Sequence, residues 1–225
     1  MALIPLEERK IVPELVDFVP SAYPSQNPTL AWPVSELVQD LEKDARDAGF
    51  EAPQFQIISG LRDYNSQKKL WEQALKDANG NVALARKTTA PPGKSSHFSG
   101  FAFDIFLGRG GTLMSRAPSQ FKSKEYKFMR DVLGPKYQLT QLSNEPWHWE
   151  CDQNCRESYL LNKYGNSNYT PPSDEIARMR SISEQNTSAF ASAESSSNSR
   201  SYLLIGCAVG LAAFGVWALR YSSKK

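Results

Sequence analysis

The chain has only two histidines, and each lies near a carboxylate in the sequence. His97 precedes Asp104 by seven residues, and His148 follows Glu145 by three. Neutral imidazole is the commonest protein ligand for zinc, and a catalytic zinc takes three protein ligands and leaves one position open. The two histidines with Asp104 would complete such a set, so the fold must bring two distant segments together. The alternative, that both are ordinary polar side chains, would be preferred for a single histidine.

The residues around Asp104 alternate as in a strand that is buried on one face. The large apolar side chains share one face, namely Phe101, Phe103 and Ile105. The small or acidic residues share the other, namely Gly100, Ala102 and Asp104. Plain alternation would put His97 on the wrong face, and a bend at Gly100 would return it to the side of Asp104. The small residues leave space for a metal and a substrate backbone.

The segment around His148 needs a similar turn. Trp147 and Trp149 share one face of an extended segment, which leaves His148 on the other. Glu145 has the wrong parity for a straight strand, and Pro146 favours a turn through which both side chains can converge. A carboxylate held off the metal but near its water can act as a general base, and Glu145 suits that role.

Taken together, the two segments resemble the VanY-type D-Ala-D-Ala carboxypeptidase family of zinc peptidases, which also includes phage L-Ala-D-Glu endopeptidases. The family pattern is Ser-x-His-x-x-Gly-x-Ala-x-Asp, followed later by Glu-x-Trp-His. Every fixed position is filled, by Ser95, His97, Gly100, Ala102, Asp104, Glu145, Trp147 and His148. An upstream family element, Ser-Gly-Tyr-Arg followed by Gln, is matched by Ser59, Gly60, Leu61, Arg62 and Gln67. Leu61 departs from the usual aromatic residue, and the resemblance covers about residues 33–155.

The resemblance implies an α+β fold, with helices packed on a small antiparallel sheet that carries a site for one zinc ion. It also implies a role for each matched residue. His97, Asp104 and His148 would be the zinc ligands, and Glu145 the general base. Arg62 would hold a substrate carboxylate or carbonyl, and its alternative role is a salt bridge to Asp63 or a nearby glutamate. Ser95 and Gln67 would contribute hydrogen bonds to the substrate.

The function that the resemblance implies is hydrolysis of peptide stems in bacterial peptidoglycan by a zinc-dependent peptidase. Family members divide between D,D-carboxypeptidases and endopeptidases, and the sequence leaves both open. The alternative from another class is a catalytically silent, metal-stabilised binding or structural module. The intact Glu145 argues against that alternative, because a purely structural metal site would not need a spare carboxylate.

The last 25 residues differ in kind from the rest. Residues 202–219 form a run without any charged residue, and this run is about as long as a membrane-spanning helix. Basic residues flank it on both sides. Gly206 and Gly210 form a Gly-x3-Gly pair, which permits helix–helix self-association. We therefore expect a single-pass C-terminal transmembrane helix in contact with membrane lipid.

The start of the chain has no basic segment followed by an apolar core, so no secretory signal is expected. This favours a phage product, either a lysis enzyme (endolysin) or a virion component used for entry. The expected location is therefore a membrane, either a virion membrane or the bacterial inner membrane. The formal net charge is only +2 with no basic stripe, which gives nucleic-acid binding no support.

The composition divides the chain into five segments. We expect a proline-rich arm over 1–30, a peptidase domain over 31–164, a flexible Ser- and Asn-rich linker over 165–200, a transmembrane helix over 201–221 and a basic tail over 222–225. Cys151 and Cys155 could be metal ligands, but two separate thiols are the preferred interpretation, because no second Cys/His pair is present to complete a four-ligand structural site. A disulfide between them is also possible, but it would be strained if the segment is helical.

Within the domain, the pattern predicts a helix over 33–49 capped by Ser35, and a buried strand over 55–59. A second helix should start at Asn65 or Ser66 and end near residue 79, and a short one should cover 82–87. A third helix is predicted over 123–133, followed by a strand that starts at Tyr137. A surface loop is expected over 111–120.

Overall fold

The computed structural model describes residues 15–19, 28–50, 55–107, 120–143 and 145–196 of the 225-residue chain. The predicted transmembrane helix, the basic tail, nearly all of the predicted loop over 111–120 and most of the proline-rich arm lie outside these ranges. None of the helices in the described ranges is both long and apolar enough to cross a membrane.

Six strands form two antiparallel sheets in the described residues. They are β1 (Val16–Phe18), β2 (Thr29–Ala31), β3 (Phe55–Ser59), β4 (Ala102–Leu107), β5 (Thr140–Gln141) and β6 (His148–Glu150). Strands β1 and β2 pair with each other, and the other four have the order β3-β4-β6-β5. The helices pack around these small sheets, as expected for an α+β fold. The predicted strand over 55–59 is confirmed residue for residue.

The part of the chain that the structure describes also contains seven α-helices. They are α1 (Val34–Asp47), α2 (Tyr64–Asp77), α3 (Val82–Ala85), α4 (Lys124–Phe128), α5 (Gly134–Tyr137), α6 (Gln153–Tyr164) and α7 (Ser173–Ser196). The first two confirm the predicted helices to within two residues at each end. The short helix predicted over 82–87 is also present, and Asn81 caps it by accepting the Leu84 N–H.

The start of α1 differs from the prediction. Ser35 does not cap the helix, because Pro33 occupies the N-cap position and Ser35 lies buried inside the first turn. The start of α2 also differs slightly, since Asp63 caps it by accepting the Ser66 N–H at 2.9 Å. The acceptor that caps α2 lies two or three residues before the predicted start at Asn65 or Ser66, so the sequence pattern placed that start too late.

The third predicted helix is present but longer and irregular. A π-helical segment, Met129–Leu133, joins α4 to α5, so helical structure continues to Tyr137. The predicted strand start at Tyr137 is therefore wrong, and the strand begins at Thr140. Gln138 has a left-handed φ of 53°, which ends the helix and redirects the chain into β5.

The core lies between the sheet and α1. Phe103 and Ile105 on β4 are fully buried, as is Ile57 on β3, and Trp149 on β6 is nearly so. The opposite face of β4 carries Ala102 and Asp104, so the predicted division into a face of large apolar residues and a face of small or acidic ones is confirmed for residues 102–105. Phe101 precedes the strand and is only partly buried, with the Arg156 guanidinium 3.9 Å from its ring centroid.

The prediction of a flexible linker over 165–200 is wrong for its middle part. Helix α7 occupies 173–196, and Met179 and Ile182 on it are buried. Arg178 also donates two hydrogen bonds, of 2.8 and 2.7 Å, to the carboxylate of Asp17 on β1. These two apolar side chains and this ion pair attach a largely polar helix to the domain. They are too few to change the overall polar composition of the segment, so the composition does not indicate them.

The preference for separate thiols is also wrong, because Cys151 and Cys155 form a disulfide. Only Cys155 lies on helix α6, whereas Cys151 directly follows β6 and Asp152 is the helix N-cap. The chain therefore turns between the two cysteines, and their Cα atoms lie 5.2 Å apart. The strain expected for two cysteines within one helix does not arise.

Candidate metal centre

His97 reaches the site from a short 3-10 turn, Ser96–Ser99, that precedes β4. Gly100 ends this turn with a left-handed φ of 70°, a conformation that glycine adopts without steric strain. The Gly100 N–H donates to the carbonyl of His97 at 3.2 Å. The predicted bend at Gly100 is therefore present, and it brings His97 to the side of Asp104.

Asp104 lies at the centre of the four-stranded sheet. Its register partners are Ser59 on β3 and His148 on β6, so the pairing alone brings His148 opposite Asp104. The turn predicted at Pro146 is also present, since the N–H of His148 donates to the carbonyl of Glu145 at 3.0 Å. The antiparallel sheet thus brings the two distant motifs together.

The side chains of His97, Asp104 and His148 form one buried cluster. Asp104 Oδ1 lies 3.4 Å from His97 Nε2 and 3.0 Å from His148 Nδ1, and the candidate ligand atoms all lie within 4.8 Å of one another. Ligands at about 2.0–2.2 Å from a tetrahedral ion are roughly 3.3–3.6 Å apart. The separations in the cluster lie around these values, so the three side chains are close enough to hold a single metal ion.

The ring nitrogens that face away from Asp104 also have partners. His97 Nδ1 lies 2.7 Å from the carbonyl oxygen of Gly60. His148 Nε2 lies 3.0 Å from Glu150 Oε1 and 3.2 Å from Ser96 Oγ. Because a carbonyl only accepts, Nδ1 of His97 carries a proton, which leaves Nε2 as the nitrogen that faces the cluster and could bind a metal.

Asp104 and His148 strongly affect each other's pKa. Burial alone would raise the pKa of Asp104, but His97 and His148 outweigh it and hold that pKa well below its usual range. Burial would lower the pKa of His148, but its hydrogen bonds to Asp104 and Glu150 raise it to about 9. Asp104 is therefore an anion at neutral pH, and metal binding competes with protonation at His148.

Arg62 lies beside the cluster. Its Nη2 lies 3.5 Å from Asp104 Oδ2 and donates to Ser59 Oγ at 3.0 Å, while its Nη1 donates to Gln67 Oε1 at 3.1 Å. The predicted salt-bridge alternative with Asp63 is not what forms, because Arg62 pairs with Asp104 and the Asp63 carboxylate caps α2. The Arg62 side chain remains about one-fifth exposed, so it is not sealed off from a substrate.

Gln67 lies behind Arg62. It is 1% exposed, and its amide nitrogen donates to the carbonyl of Ala90 at 2.7 Å, while its oxygen accepts from Arg62. Both ends of this amide are bonded within the protein. This supports a role for Gln67 in holding Arg62 in place, rather than the expected hydrogen bond to the substrate.

The two remaining predicted residues flank the cluster. Glu145 is partly buried in the turn before β6, and its carbonyl accepts the N–H of His148. Ser95 immediately precedes the turn that carries His97, and its carbonyl accepts the Phe98 N–H at 3.2 Å. The neighbouring Ser96, which was not predicted, is the serine whose hydroxyl lies beside His148.

Sequence reasoning also missed Glu150 and the carbonyl of Gly60. Glu150 lies two residues after His148 on the same strand, and side chains at that spacing share a face. That alternation could have identified Glu150. The contact with Gly60 had no signal in the pattern, because every residue carries a carbonyl.

Known proteins resemble this chain over the same region. The sequence profile of VanY, D-alanyl-D-alanine carboxypeptidase, matches residues 27–151. The bifunctional D-Ala-D-Ala dipeptidase and D-Ala-D-Ala carboxypeptidase VanXYC of Enterococcus gallinarum is 31% identical over 124 residues. That match covers 51% of this chain and 64% of the relative, so the chain spans less than two thirds of that protein.

Two solved structures are similar at lower identity. The LdcB LD-carboxypeptidase is 21% identical, with a TM-score of 0.46 over 62% of this chain and 65% of its own. VanYB in complex with D-alanine-D-alanine is 22% identical, with a TM-score of 0.41 over 71% and 94%. The profile match covers more than half of the sequence and includes both histidine motifs. The chain therefore belongs to the VanY D-alanyl-D-alanine carboxypeptidase family.

Proposed function

We propose that the protein is a zinc-dependent peptidase that hydrolyses peptide stems of bacterial peptidoglycan. The observation that carries this proposal is the buried cluster of His97, Asp104 and His148, in which two nitrogens and one oxygen lie close enough together to hold one ion. Such a set of three ligands is typical of catalytic rather than structural zinc sites, which use four. Family membership supports the same class of reaction.

The residues divide the chemistry among them. His97, Asp104 and His148 would hold the ion, which supplies Lewis acidity that polarises the scissile carbonyl and acidifies water. Glu145 would accept the proton of the attacking water and pass it to the leaving amine. The turn at Pro146 supports this role, because it places Glu145 directly before the strand that carries His148.

Arg62 would bind an anionic or carbonyl group of the substrate. Ser59 and Gln67 hold its guanidinium at the edge of the cluster, and a planar guanidinium suits bidentate binding of a carboxylate. A free C-terminal carboxylate next to the scissile bond would meet this requirement. We therefore propose D,D-carboxypeptidase activity on a D-Ala-D-Ala terminus as the first activity to assay, and endopeptidase activity as the second.

The site of action is proposed to be the outer side of a membrane. The uncharged run over 202–219 supports a C-terminal anchor in the lipid. The disulfide between Cys151 and Cys155 supports an oxidising compartment, because cytosolic thiols are kept reduced. A role in phage lysis or entry, and self-association through Gly206 and Gly210, remain part of this proposal.

The test is hydrolysis by the full-length protein in mild detergent, loaded with zinc. Purified peptidoglycan and a peptide ending in D-Ala-D-Ala serve as substrates, and mass spectrometry of the products identifies the bond that is cut. Glu145→Gln should retain zinc and lose about 10²–10⁴-fold in rate. Removal of zinc by a chelator should abolish hydrolysis and lower the melting temperature.

The opposing result is also defined. If the wild type binds zinc but is as inert as Glu145→Gln on both substrates, the peptidase proposal fails. The protein would then be the metal-stabilised binding module of the alternative interpretation.

A further inference from the structure

Glu150 contacts the histidine of the candidate metal site from the side opposite the cluster. Its Oε1 lies 3.0 Å from His148 Nε2, whereas His148 Nδ1 lies 3.0 Å from Asp104 Oδ1. The imidazole thus bridges two carboxylates, one at each ring nitrogen. Only the Asp104 side belongs to the cluster that suits an ion.

Strand pairing fixes the position of Glu150. Its register partners are Ala102 on β4 and Thr140 on β5, so the strand that carries it is hydrogen-bonded on both sides. The spacing of two residues along β6 then places the carboxylate on the same face as the imidazole. The contact is a product of the sheet rather than of a mobile loop.

Ser96 completes a small group on this side of the ring. Its hydroxyl lies 3.2 Å from His148 Nε2, and it belongs to the turn that carries His97. The hydroxyl can donate to the Glu150 carboxylate, which only accepts, and the two then share the Nε2 side of the ring. Ser96 and Glu150 thereby connect the elements that carry both histidine ligands.

This arrangement has a chemical consequence for His148. A neutral imidazole has one N–H, and the position of that proton decides which nitrogen can bind a metal. A carboxylate at Nε2 favours the proton on Nε2, which leaves the lone pair on Nδ1 facing Asp104. A carboxylate partner also raises the basicity of the ligating nitrogen and fixes the orientation of the ring.

We propose that Glu150 is a positioning residue for the metal site, assisted by Ser96, and that it sets the tautomer and orientation of His148. Glu150 does not join the ligand set itself, because it contacts the ring nitrogen that faces away from Asp104. The inference rests on the proposed metal site and adds to it a residue outside the matched family motif.

The test measures metal affinity rather than activity alone. Zinc affinity of the full-length protein is determined by competition with a chromogenic chelator for wild type, Glu150→Ala, Glu150→Gln and Ser96→Ala. Loss of such a partner weakens metal binding by about 10–100-fold, so we expect that loss for Glu150→Ala. Glu150→Gln keeps an acceptor without the charge and should lose less, and Ser96→Ala should lose least.

Two controls separate positioning from folding. Glu157→Gln alters an exposed carboxylate on α6, and its zinc affinity should equal that of the wild type. Cobalt is then substituted for zinc, and the visible d–d spectrum of Glu150→Ala should change, which a general loss of stability would not cause. If Glu150→Ala does not fold, Glu150→Gln and Ser96→Ala provide the same comparison.

The outcomes distinguish this inference from the proposed function. Affinities within twofold of wild type for Glu150→Gln and Glu150→Ala, with unchanged cobalt spectra, overturn the positioning role alone. A wild type that binds zinc but hydrolyses nothing overturns the peptidase proposal alone. A wild type that does not bind zinc overturns both.

Discussion

The imidazole Nδ1 of His97 donates a hydrogen bond of 2.7 Å to the carbonyl oxygen of Gly60. This bond joins the turn before β4 to the end of β3, and it presents Nε2 of His97 to the metal site. Gly60 itself is closely packed, because a side chain there would overlap the carbonyl oxygen of Thr29. The orientation of one candidate ligand thus depends on a residue without a side chain.

Gly60→Ala should weaken both the fold and the metal site. The added methyl meets backbone at Thr29 and the side chain of Leu30, so the segment must shift, at about 1–3 kcal/mol of stability. The shift displaces the carbonyl that orients His97, and zinc affinity should fall by about tenfold or more. Chemical denaturation and chelator competition measure the two effects.

Gly80→Ala is the control, because nothing lies within 4 Å of its added methyl. It should lower stability through its left-handed φ and leave zinc affinity unchanged.

The sequence predicted those parts of the structure that follow from local periodicity. Alternation placed Phe103 and Ile105 in the core and Asp104 on the opposite face, because side-chain direction in a strand depends only on parity. The bend at Gly100 could be predicted because parity alone failed for His97. The contact of Gln67 with the carbonyl of Ala90 could not, since it depends on which face of α2 packs inward.

Arg62→Lys should reduce catalysis more than metal binding. The guanidinium reaches Ser59 and Gln67 at once, and a lysine ammonium cannot reproduce that fork. We expect kcat/KM to fall by about 10²-fold, in the range found for loss of one oriented donor. Steady-state kinetics on a D-Ala-D-Ala peptide measure this, with zinc content determined in parallel. Arg86→Lys, at an exposed position, should behave as wild type. Full activity of Arg62→Lys would exclude the proposed substrate contact.

Met179→Ala should destabilise the whole domain. Met179 is fully buried although it lies on a helix that follows a polar segment, so its truncation leaves a cavity. Large-to-small changes of this kind lower stability by about 2–5 kcal/mol. Glu184→Ala alters an exposed position on the same helix and should have little effect. Thermal unfolding followed by circular dichroism compares the two. Equal melting temperatures would mean that α7 does not contribute to the stability of the domain.

Reduction of the disulfide should lower stability by a modest amount. Cys151 and Cys155 are four residues apart, and closing so short a loop removes little entropy from the unfolded chain, about 2 kcal/mol. A melting temperature measured with and without reductant tests this, and thiol labelling confirms the redox state. The double variant Cys151→Ser, Cys155→Ser should match the reduced protein and not respond to reductant. A response of that variant would place the effect of reductant elsewhere in the protein.

Glu42→Gln should change how stability depends on pH. Burial raises the pKa of Glu42 to about 7 from 4.5, although the Ile57 N–H and Arg46 oppose this effect. The folded state then holds a proton that the unfolded state has lost, so stability falls as pH rises from about 4.5 to 7 and is flat above that range. The variant cannot ionise and still accepts the 3.1 Å hydrogen bond from the Ile57 N–H. The stability of the variant should lack this part of the fall with pH, and its free energy of unfolding should exceed that of the wild type by about 1–3 kcal/mol at pH 8.

Denaturant unfolding at pH 4.5, 6 and 8 measures the difference, and Glu72→Gln at an exposed position is the control. Parallel pH profiles for Glu42→Gln and wild type would show that Glu42 is already ionised in the folded protein at pH 6.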